Sequence, residues 1–361
     1  MNILPHSDSE QSILMACKVL PTTVVGSYPQ PDWLIDREAL KGRSPPRVRA
    51  KELWRIEPDN LREACDDATR LAIRDMERAG IDIISDGEMR RESYSTVFAN
   101  SLEGIDSENP GIAISRRGEP DPVPRINGPI KRTAPILVRD AELLRSETRR
   151  QIKISIPGPF TMSQQAQDDY YGDDKALAFA FADAVRAEVQ DLFKAGVDIV
   201  QLDEPFLQAR VDLARSFGIA AVNRALQGVS GTTALHLCLG YAALIKNKPS
   251  AYSFLSELSD CDVDQISLEA AQPGLDLNIL RELRNKSIIL GVLDLNDMSI
   301  ETPEVVATRL FAALKVLPIE MLIAAPDCGM KYLPRSIAFQ KLKALVAGTQ
   351  LVRDSFRGKF L

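Results

Sequence analysis

The feature that most constrains the fold of this chain is a series of short apolar runs, rich in β-branched residues, that alternate with helical stretches. This alternation is typical of parallel β-strands joined by crossover helices. Eight runs can be identified, at residues 22–27, 81–86, 152–157, 197–203, 232–238, 263–269, 287–294 and 321–327. Eight strand–helix units within 361 residues predict an α/β fold, a (β/α)8 TIM barrel.

Two of the connecting stretches carry clear helix signals. Residues 61–79 and 173–195 show apolar side chains at helical spacing, and they are followed by Gly80 and Gly196 respectively. Glycine is favoured just past the carboxyl end of a helix. Both stretches are therefore predicted to be barrel helices.

The regular spacing is interrupted after the second predicted strand. Residues 89–150 are far more numerous than a strand-to-helix connection needs, so we expect a long insertion there. Within it, residues 125–130 are predicted to form a small extended element over the barrel mouth. A lid over the site and an inert surface insertion both fit this pattern. Residues 1–20 are predicted to be an N-terminal tail, and residues 21–361 a single catalytic barrel domain.

Charge and composition restrict the partners of the chain. The net charge is −6 and the pI is near 5.3, and no basic block is present, so binding to nucleic acid or to an anionic membrane is not expected. The first ten residues carry acidic side chains where a signal peptide needs basic ones, and no run approaches the roughly 20 apolar residues of a membrane span. We predict a cytoplasmic protein that acts on small molecules. Its five cysteines, irregularly spaced, are expected to be reduced.

Polar side chains capable of binding a metal or a ligand stand at or just after most of the predicted strands. They are Ser27, Glu88, Asp203, His236 with Cys238, Glu269, Asp294 and Cys328. In TIM barrels the carboxyl ends of the strands build the active site. These residues are therefore expected to meet at one end of the barrel.

A zinc site is predicted within this set. His236 and Cys238 are two positions apart on one strand, so their side chains share a face. Cys328 ends a later strand, and thiolates with an imidazole favour zinc over hard cations. For the fourth ligand, Glu269 is preferred to Cys261, which precedes its strand and belongs to the opposite end of the barrel. The predicted metal ligands are therefore His236, Cys238, Glu269 and Cys328.

The ligand charges indicate the chemistry. With two thiolates and one carboxylate, the site has a formal charge of 2 − 1 − 1 − 1 = −1, which suits holding a substrate thiol as thiolate. His236, Cys238 and Cys328 are accordingly predicted to be catalytic. Glu88 and Asp203 would bind the ammonium of an amino-acid thiol, while Ser27, beside Gly26, would bind its carboxylate with nearby backbone N–H groups.

Several motifs, in order, resemble the C-terminal catalytic barrel of cobalamin-independent methionine synthases. They are the segments at 22–29 (TTVVGSYP), 86–88 (DGE), 157–162 (PGPFTM), 201–205 (QLDEP), 236–238 (HLC) and 326–329 (PDCG). The resemblance covers residues 22–346 and is to the short, single-barrel members. It implies that His236, Cys238, Glu269 and Cys328 bind zinc. It also implies that Ser27, Glu88 and Asp203 hold homocysteine.

Departures from the family pattern concern the methyl donor. Gln164 and Gln165 stand where the folate-using enzymes have a tryptophan that stacks on the pterin, and Asn296 replaces a histidine proposed to transfer protons. The donor could be a folate held differently, a methylcorrinoid, which a corrinoid protein could present, or another methylated small molecule.

The sequence thus predicts a zinc-dependent methyltransferase, 5-methyltetrahydropteroyltriglutamate–homocysteine methyltransferase-like, that acts in methionine biosynthesis. Three alternatives stay open. The first is thiol alkylation like that of the epoxyalkane–coenzyme M transferases. The second is a non-catalytic protein that binds zinc and thiols, and the third is a metal-free decarboxylase, which would leave Cys238 and Cys328 unexplained.

Overall fold

The computed structural model of the protein describes residues 19–41, 44–115, 118–240, 252–283 and 285–357. Within these ranges the strands are β1 Ile83–Ile84, β2 Glu103–Ile114, β3 Pro120–Lys131, β4 Gln151–Pro157, β5 Gln167–Asp168, β6 Ile199–Asp203, β7 Thr232–Leu237, β8 Gln265–Leu268, β9 Ser287–Gly291 and β10 Leu322–Ala325. The α-helices are α1 Arg37–Lys41, α2 Pro58–Ala79, α3 Thr96–Ala99, α4 Val138–Glu147, α5 Pro159–Gln164, α6 Asp174–Lys194, α7 Pro205–Ala209, α8 Val211–Leu213, α9 Ile219–Leu226, α10 Pro303–Ala313 and α11 Arg335–Arg357. Short 3-10 helices span Lys51–Leu53, Ser256–Asp260, Leu277–Glu282 and Ile319–Met321, and a π-helix spans Ala214–Gly218.

The main sheet is a closed parallel barrel. Seven strands pair in the order β1-β4-β6-β7-β8-β9-β10. Two bridges close the remaining gap, because Thr22 pairs with Ala324 of β10 and Thr23 pairs with Ile83 of β1, both in parallel. The predicted (β/α)8 architecture is confirmed, with a first strand that is reduced to this pair of bridges.

The barrel interior changes character along its length. A small apolar layer lies within the barrel: Ile83, Ile199, Ala234, Ile289, Ile323 and Ala325. Gln201 of β6 and His236 of β7 stand two positions after Ile199 and Ala234 and are buried polar residues, as are Ser155 of β4 and Ser267 of β8. Along β6 and β7 the interior therefore becomes polar toward the carboxyl ends.

Helix ends follow the sequence signals. The predicted stretches 61–79 and 173–195 correspond to α2 and α6, and Gly80 and Gly196 follow them with φ of 93° and 87°. Residues with a Cβ rarely adopt these left-handed angles. At both places, glycine allows the polypeptide to leave the helix and enter the next strand. No helix in the described ranges combines the length and the apolar character that a bilayer span requires.

Residues 89–150 hold a ribbon and a barrel helix. Strands β2 and β3 pair in antiparallel fashion, and β5 adds to β3 to complete a three-stranded sheet. The predicted extended element at 125–130 lies within β3. Helix α4 then packs beside α2 and α6 before the chain enters β4. The lid role of 89–150 stays a prediction, as does the boundary between 1–20 and 21–361, since residues 1–18 lie outside the described ranges.

Candidate metal and thiol site

The four predicted metal ligands lie together at the carboxyl end of the barrel. One ligand atom from each of His236, Cys238, Glu269 and Cys328 lies within 4.8 Å of the others, and all four residues are buried. His236 belongs to β7, Cys238 directly follows it, and Glu269 directly follows β8. Barrel closure brings Cys328, shortly after β10, to the same place.

The geometry of this cluster fits a metal ion. The Sγ atoms of Cys238 and Cys328 are 3.4 Å apart, well beyond the about 2.05 Å of a disulfide. Two zinc–sulfur bonds of about 2.3 Å at a tetrahedral angle would place the sulfurs about 3.8 Å apart. The Nε2 atom of His236 is buried and has no hydrogen-bond partner. A buried imidazole nitrogen beside two sulfurs and a carboxylate is a donor set that matches zinc.

Neighbouring groups orient the ligands. The Nδ1 atom of His236 lies 2.9 Å from Oγ of Ser267, its register partner on β8. The backbone N–H of Leu239 donates to Oε1 of Glu269 at 2.7 Å, and that of Gly240 donates to Sγ of Cys238 at 3.2 Å. Such partners fix the tautomer and the direction of a ligand before the metal arrives.

Asp327 joins the loops that carry Glu269 and Cys328. Its buried carboxylate accepts hydrogen bonds from the backbone N–H groups of Ala270, Ala271 and Gln272, at 3.0, 2.9 and 2.6 Å. A Cβ atom at Gly291 would lie 2.2 Å from Oδ1 of Asp327, so this close approach needs glycine. The carboxylate thereby holds one ligand loop against the other.

Tyr252 makes a second link near the same ligand. Its hydroxyl donates to the carbonyl of Leu237 at 3.2 Å and accepts from the N–H of Glu269 at 2.9 Å. Burial, reinforced by the nearby Glu269 charge, raises the pKa of this phenol, so it stays a neutral donor. Tyr252 therefore ties the end of β7 to the residue after β8.

The predicted substrate residues border the metal cluster. A pocket at the barrel mouth is lined by Val25, Gly26, Ser27, Glu88, Tyr94, Asp203, Pro205, His236, Cys238, Cys328 and Gly329. Gly26, Ser27, Glu88 and Asp203 thus share one cavity with three of the four metal ligands. A molecule bound there would contact the cysteines and the carboxylates together.

Besides Nε2 of His236, two polar atoms of the residues that line this pocket are buried without a hydrogen-bond partner among the described residues: Oγ of Ser27 and Oε2 of Glu88. The other oxygen of Glu88 accepts a hydrogen bond from Oγ of Ser155 at 3.0 Å. Buried polar groups are rarely left unsatisfied in folded proteins. These atoms are therefore available to a polar ligand.

The glycine before Ser27 is required by the position of Glu88. A Cβ atom at Gly26 would lie 2.6 Å from Oε1 of Glu88 and 3.0 Å from Oγ of Ser155. Glu88 itself has a φ of 56°, a strained conformation for a residue with a side chain. The backbone at both positions is shaped to bring this carboxylate into the pocket.

The two pocket carboxylates are held in an environment that disfavours their charged forms. Burial raises the pKa of Glu88, against the lowering effect of Arg91 and Lys331. Burial also raises the pKa of Asp203 to about 7, with His236 opposing the shift and Glu88 adding to it. A ligand cation between these groups would offset both penalties. This electrostatic demand matches an ammonium.

Several other polar residues and cysteines of the sequence lie outside this pocket and the metal cluster or play other roles. Asp294 does not line the pocket, and its Oδ1 caps the following turn by accepting from the N–H of Asn296 at 2.7 Å. Cys65 and Cys261 are buried free thiols outside the metal cluster. Glu204, which follows Asp203, accepts from the N–H groups of Phe160 and Thr161 at 2.9 and 2.8 Å and so anchors the start of α5. His6 and Cys17 lie outside the described residues.

Sequence reasoning missed Tyr94, Ser155, Tyr252, Ser267 and the three hydrogen bonds of Asp327. Tyr94 stands six positions after Glu88, within the stretch that the sequence predicts to be an insertion, and the guanidinium of Arg47 lies over its ring, 5.2 Å from the centroid. The inward alternation of strand residues could have identified Ser155 and Ser267. No local pattern marks the others, because their partners are distant in sequence.

Comparisons with known proteins agree with these observations. Residues 20–350 match the family described as "Cobalamin-independent synthase, Catalytic domain". A methionine synthase of Sulfurisphaera tokodaii is 35% identical over 347 residues, which cover 94% of this chain and 95% of the relative. One of Saccharolobus solfataricus is 33% identical over 349 residues, covering 94% and 97%. The solved structure of a B12-independent methionine synthase from Shewanella sp. W3-18-1, in complex with selenomethionine, superposes with a TM-score of 0.87 at 35% identity, covering 94% of this chain and all of that one.

Proposed function

Because this chain belongs to the cobalamin-independent methionine synthase family, we propose that it transfers a methyl group to the sulfur of homocysteine, giving methionine, and that zinc is its metal. One observation carries the proposal: three residues of the buried His–Cys–Glu–Cys cluster line a single pocket together with the carboxylates of Glu88 and Asp203. An amino-acid thiol bound there places its sulfur at the cluster and its amino group at the carboxylates.

The Shewanella relative supports this choice of substrate. It was solved with selenomethionine, which differs from methionine, the product of homocysteine methylation, in one atom. The residues that would hold such a ligand in this chain are Gly26, Ser27, Glu88 and Asp203. Glu88 and Asp203 would bind the ammonium, while Oγ of Ser27 and nearby backbone N–H groups would bind the carboxylate.

His236, Cys238, Glu269 and Cys328 would hold the zinc. When bound there, zinc supplies a positive centre that lowers the pKa of a substrate thiol and keeps the sulfur nucleophilic at neutral pH. The charged ligand set keeps this centre electron-rich, which suits thiolate chemistry better than hydrolysis. Leu239 and Tyr252 hold Glu269 in place, and Ser267 holds the ring of His236.

The chemical step is a displacement at carbon. The sulfur of homocysteine forms a bond to the methyl carbon, and the bond from that carbon to the donor breaks, with its electron pair leaving on the donor. The thiol proton is lost before this step. The pocket residues contribute by orienting the amino acid so that its sulfur faces the donor, and such orientation is a major source of rate.

For the methyl donor, a folate and a methylcorrinoid stay the two main candidates. A corrinoid partner protein stays a prediction as well. Gln165 stands near the position expected of a stacking tryptophan and instead donates to the hydroxyl of Tyr94 at 2.7 Å. Tyr94 lines the pocket. Supplying 5-methyltetrahydrofolate, its triglutamate and methylcobalamin separately to the zinc-loaded protein with homocysteine would identify the donor by methionine formed.

Thiol alkylation of coenzyme M is the less favoured alternative. Coenzyme M has a sulfonate and no ammonium, so it would place an anion against Glu88 and Asp203. A non-catalytic zinc protein is also disfavoured, because three of the metal ligands line an open pocket rather than a closed structural site.

The first test is metal analysis combined with titration by homocysteine and by coenzyme M. We expect about one zinc per chain and tighter binding of homocysteine, lost in Cys328→Ser and kept in Cys261→Ser, whose thiol is buried outside the cluster. In a cobalt-substituted protein, added homocysteine should change the absorption bands as a ligand is exchanged. Preference for coenzyme M would move the assignment to epoxide chemistry, and absence of both zinc and thiol binding would refute the proposal.

A further inference from the structure

A lysine lies buried inside the barrel, below the substrate pocket. Lys153 belongs to β4 and is 1% exposed. Ile83 and Ile199, on the strands at either side of β4, belong to the apolar layer that fills the barrel interior. Burying an amine costs free energy that an aliphatic residue would not. The position of Lys153 therefore calls for a specific explanation.

Lys153 starts a chain of hydrogen bonds that ends at the pocket. Its Nζ donates to Oε1 of Gln201 at 2.8 Å, and Nε2 of Gln201 donates to Oδ1 of Asp203 at 2.7 Å. All three residues are buried, and Gln201 and Asp203 lie two positions apart on β6, so their side chains share a face. The first of these hydrogen bonds joins β4 to β6, and the second runs along β6 toward the pocket.

The order of donors fixes the side chains. An ammonium only donates, so it selects the carbonyl end of the Gln201 amide, and the NH2 end must then face Asp203. The NH2 group of Gln201 therefore donates its hydrogen bond to Oδ1 of Asp203. The other carboxylate oxygen, Oδ2, receives no hydrogen bond from the described part of the chain. Asp203 lines the pocket, so this oxygen is the one left for a ligand.

We propose that Lys153 and Gln201 are positioning residues, which orient Asp203 for recognition of the substrate ammonium. This inference rests on the proposed function and adds to it: selectivity for an amino-acid thiol would depend on two residues that touch neither substrate nor metal. Without Lys153, the amide of Gln201 could rotate, and Asp203 would lose a fixed donor.

The charge balance of the region is consistent with this role. The pocket and the metal cluster collect the carboxylates of Glu88, Asp203 and Glu269, while Lys153 lies on the barrel side of Asp203. Burial lowers the pKa of Lys153 to about 7, and the charge of Asp203 opposes that shift. Lys153 therefore places a basic group at the far end of the hydrogen bonds that lead to Asp203.

The test compares two thiols that differ only in the amino group: homocysteine and 4-mercaptobutanoate. Their binding to zinc-loaded wild type and to Lys153→Met would be measured by calorimetry, with zinc content determined for both proteins. We expect Lys153→Met to bind homocysteine roughly 10-fold more weakly, as for loss of a hydrogen bond to a charged group. Binding of 4-mercaptobutanoate and zinc content should be unchanged. In turnover, KM for homocysteine should rise more than kcat falls.

Gln201→Leu provides a second route if Lys153→Met does not fold, and it should show the same selective loss. Lys286→Met is the matched control, because Lys286 donates to the carbonyls of Cys261 and Val263 just before β8, at the opposite end of the barrel. It should bind both thiols like wild type.

The outcomes separate this inference from the proposed function. If wild type prefers homocysteine and both variants keep that preference, the positioning role is wrong while the proposed function stands. If the variants lose both thiols equally, Lys153 supports the fold or the metal and the inference is refuted. If wild type binds the two thiols equally, the ammonium assignment fails, and the positioning role fails with it.

Discussion

The sulfur atoms of Cys238 and Cys328 lie 3.4 Å apart, although 90 positions separate the residues in the sequence. Cys238 follows β7 and Cys328 follows β10, so two strands lie between them in the barrel. Their approach is a product of barrel closure and does not depend on a local turn. The distance leaves room for a shared metal and excludes an existing disulfide.

Removal of the metal should therefore expose this pair to oxidation. After chelation, a mild oxidant such as diamide is expected to join Cys238 to Cys328, because the sulfurs need to move only slightly to form a bond of about 2.05 Å. Zinc-loaded protein should resist, since its thiolates are occupied. Peptide mapping by mass spectrometry would detect the cross-linked pair.

Cys328→Ser supplies the control, because it removes one partner and should give no cross-link at Cys238. Cys65 and Cys261 are buried elsewhere and should stay reduced. Equal rates of cross-linking with and without zinc would show that the metal does not bind these sulfurs.

The orientation of His236 gives a second prediction. Ser267→Ala removes the group 2.9 Å from Nδ1 of His236, so the ring loses the partner that fixes its tautomer. Zinc affinity should fall about 10-fold or more, the usual effect of losing such a partner, while the thermal unfolding of the metal-free protein changes little. Competition with a chromogenic chelator would measure the affinity.

Ser146→Ala is a matched substitution, since the hydroxyl of this exposed serine of α4 donates to the carbonyl of Leu143, far from the metal cluster in the sequence and on the outer helix layer. Its zinc affinity should equal that of wild type. If Ser267→Ala also binds zinc with unchanged affinity, the contact between Ser267 and Nδ1 of His236 does not contribute to metal binding.

The barrel and the grouping of the four predicted metal ligands could be predicted from the sequence because each depends on local order. Alternating apolar runs and helices fix the strand number, and parallel strands end on one side, so ligand residues at strand ends must meet. Because His236 and Cys238 are two positions apart on a strand, their side chains are also predicted to lie on the same face. The grouping of these four residues thus follows without knowledge of any distance.

The supporting contacts could not be predicted in the same way. Asp327 bonds to a loop more than 50 positions away, and Tyr252 joins the residues after two different strands. Their roles depend on how the loops fold over the barrel mouth, and sequence patterns do not encode that. Glu204 is a further case: it directly follows Asp203 in the sequence, but its carboxylate anchors α5 through contacts more than 40 positions away.

Asp327 is expected to contribute to stability and to metal binding together. Asp327→Ala leaves three N–H groups without their acceptor, which should lower the free energy of unfolding by roughly 2 to 3 kcal/mol. Asp327→Asn keeps one oxygen and should lose less. Urea unfolding of the metal-free proteins gives the stability, and chelator competition gives zinc affinity, which should fall in the same order. A variant that is destabilised but binds zinc normally would separate the loop contact from the metal site.

Gly26→Ala should damage the substrate pocket directly. The new methyl group would lie 2.6 Å from Oε1 of Glu88, so the carboxylate must move from its place beside Ser155. We expect a loss of about 1 to 3 kcal/mol in stability and homocysteine binding weakened by about 10-fold or more, with zinc content unchanged. Urea unfolding would measure the stability, titration calorimetry on the zinc-loaded protein would measure homocysteine binding, and metal analysis would measure the zinc content.

Gly128→Ala is the comparison, because a Cβ there meets only the Cα of Gly104 at 3.5 Å, an ordinary contact. It should bind homocysteine like wild type. If Gly26→Ala also binds normally, Glu88 does not hold the ammonium in the position inferred from the structure.

The buried Lys331 predicts a pH dependence of stability. Its Nζ donates to the carbonyl of Arg91 at 2.7 Å, and burial lowers its pKa to about 8, while Glu88 and Glu92 act to raise it. The unfolded chain, with a lysine pKa of about 10.4, therefore binds more protons than the folded protein from pH 8 upward, so stability rises with pH over this interval. The stability of wild type relative to Lys331→Met should increase from pH 7.5 to 9.5, as measured by urea unfolding of both proteins in parallel. Groups common to the two proteins cancel in this difference, and a difference that stays constant would show that Lys331 does not titrate within this range.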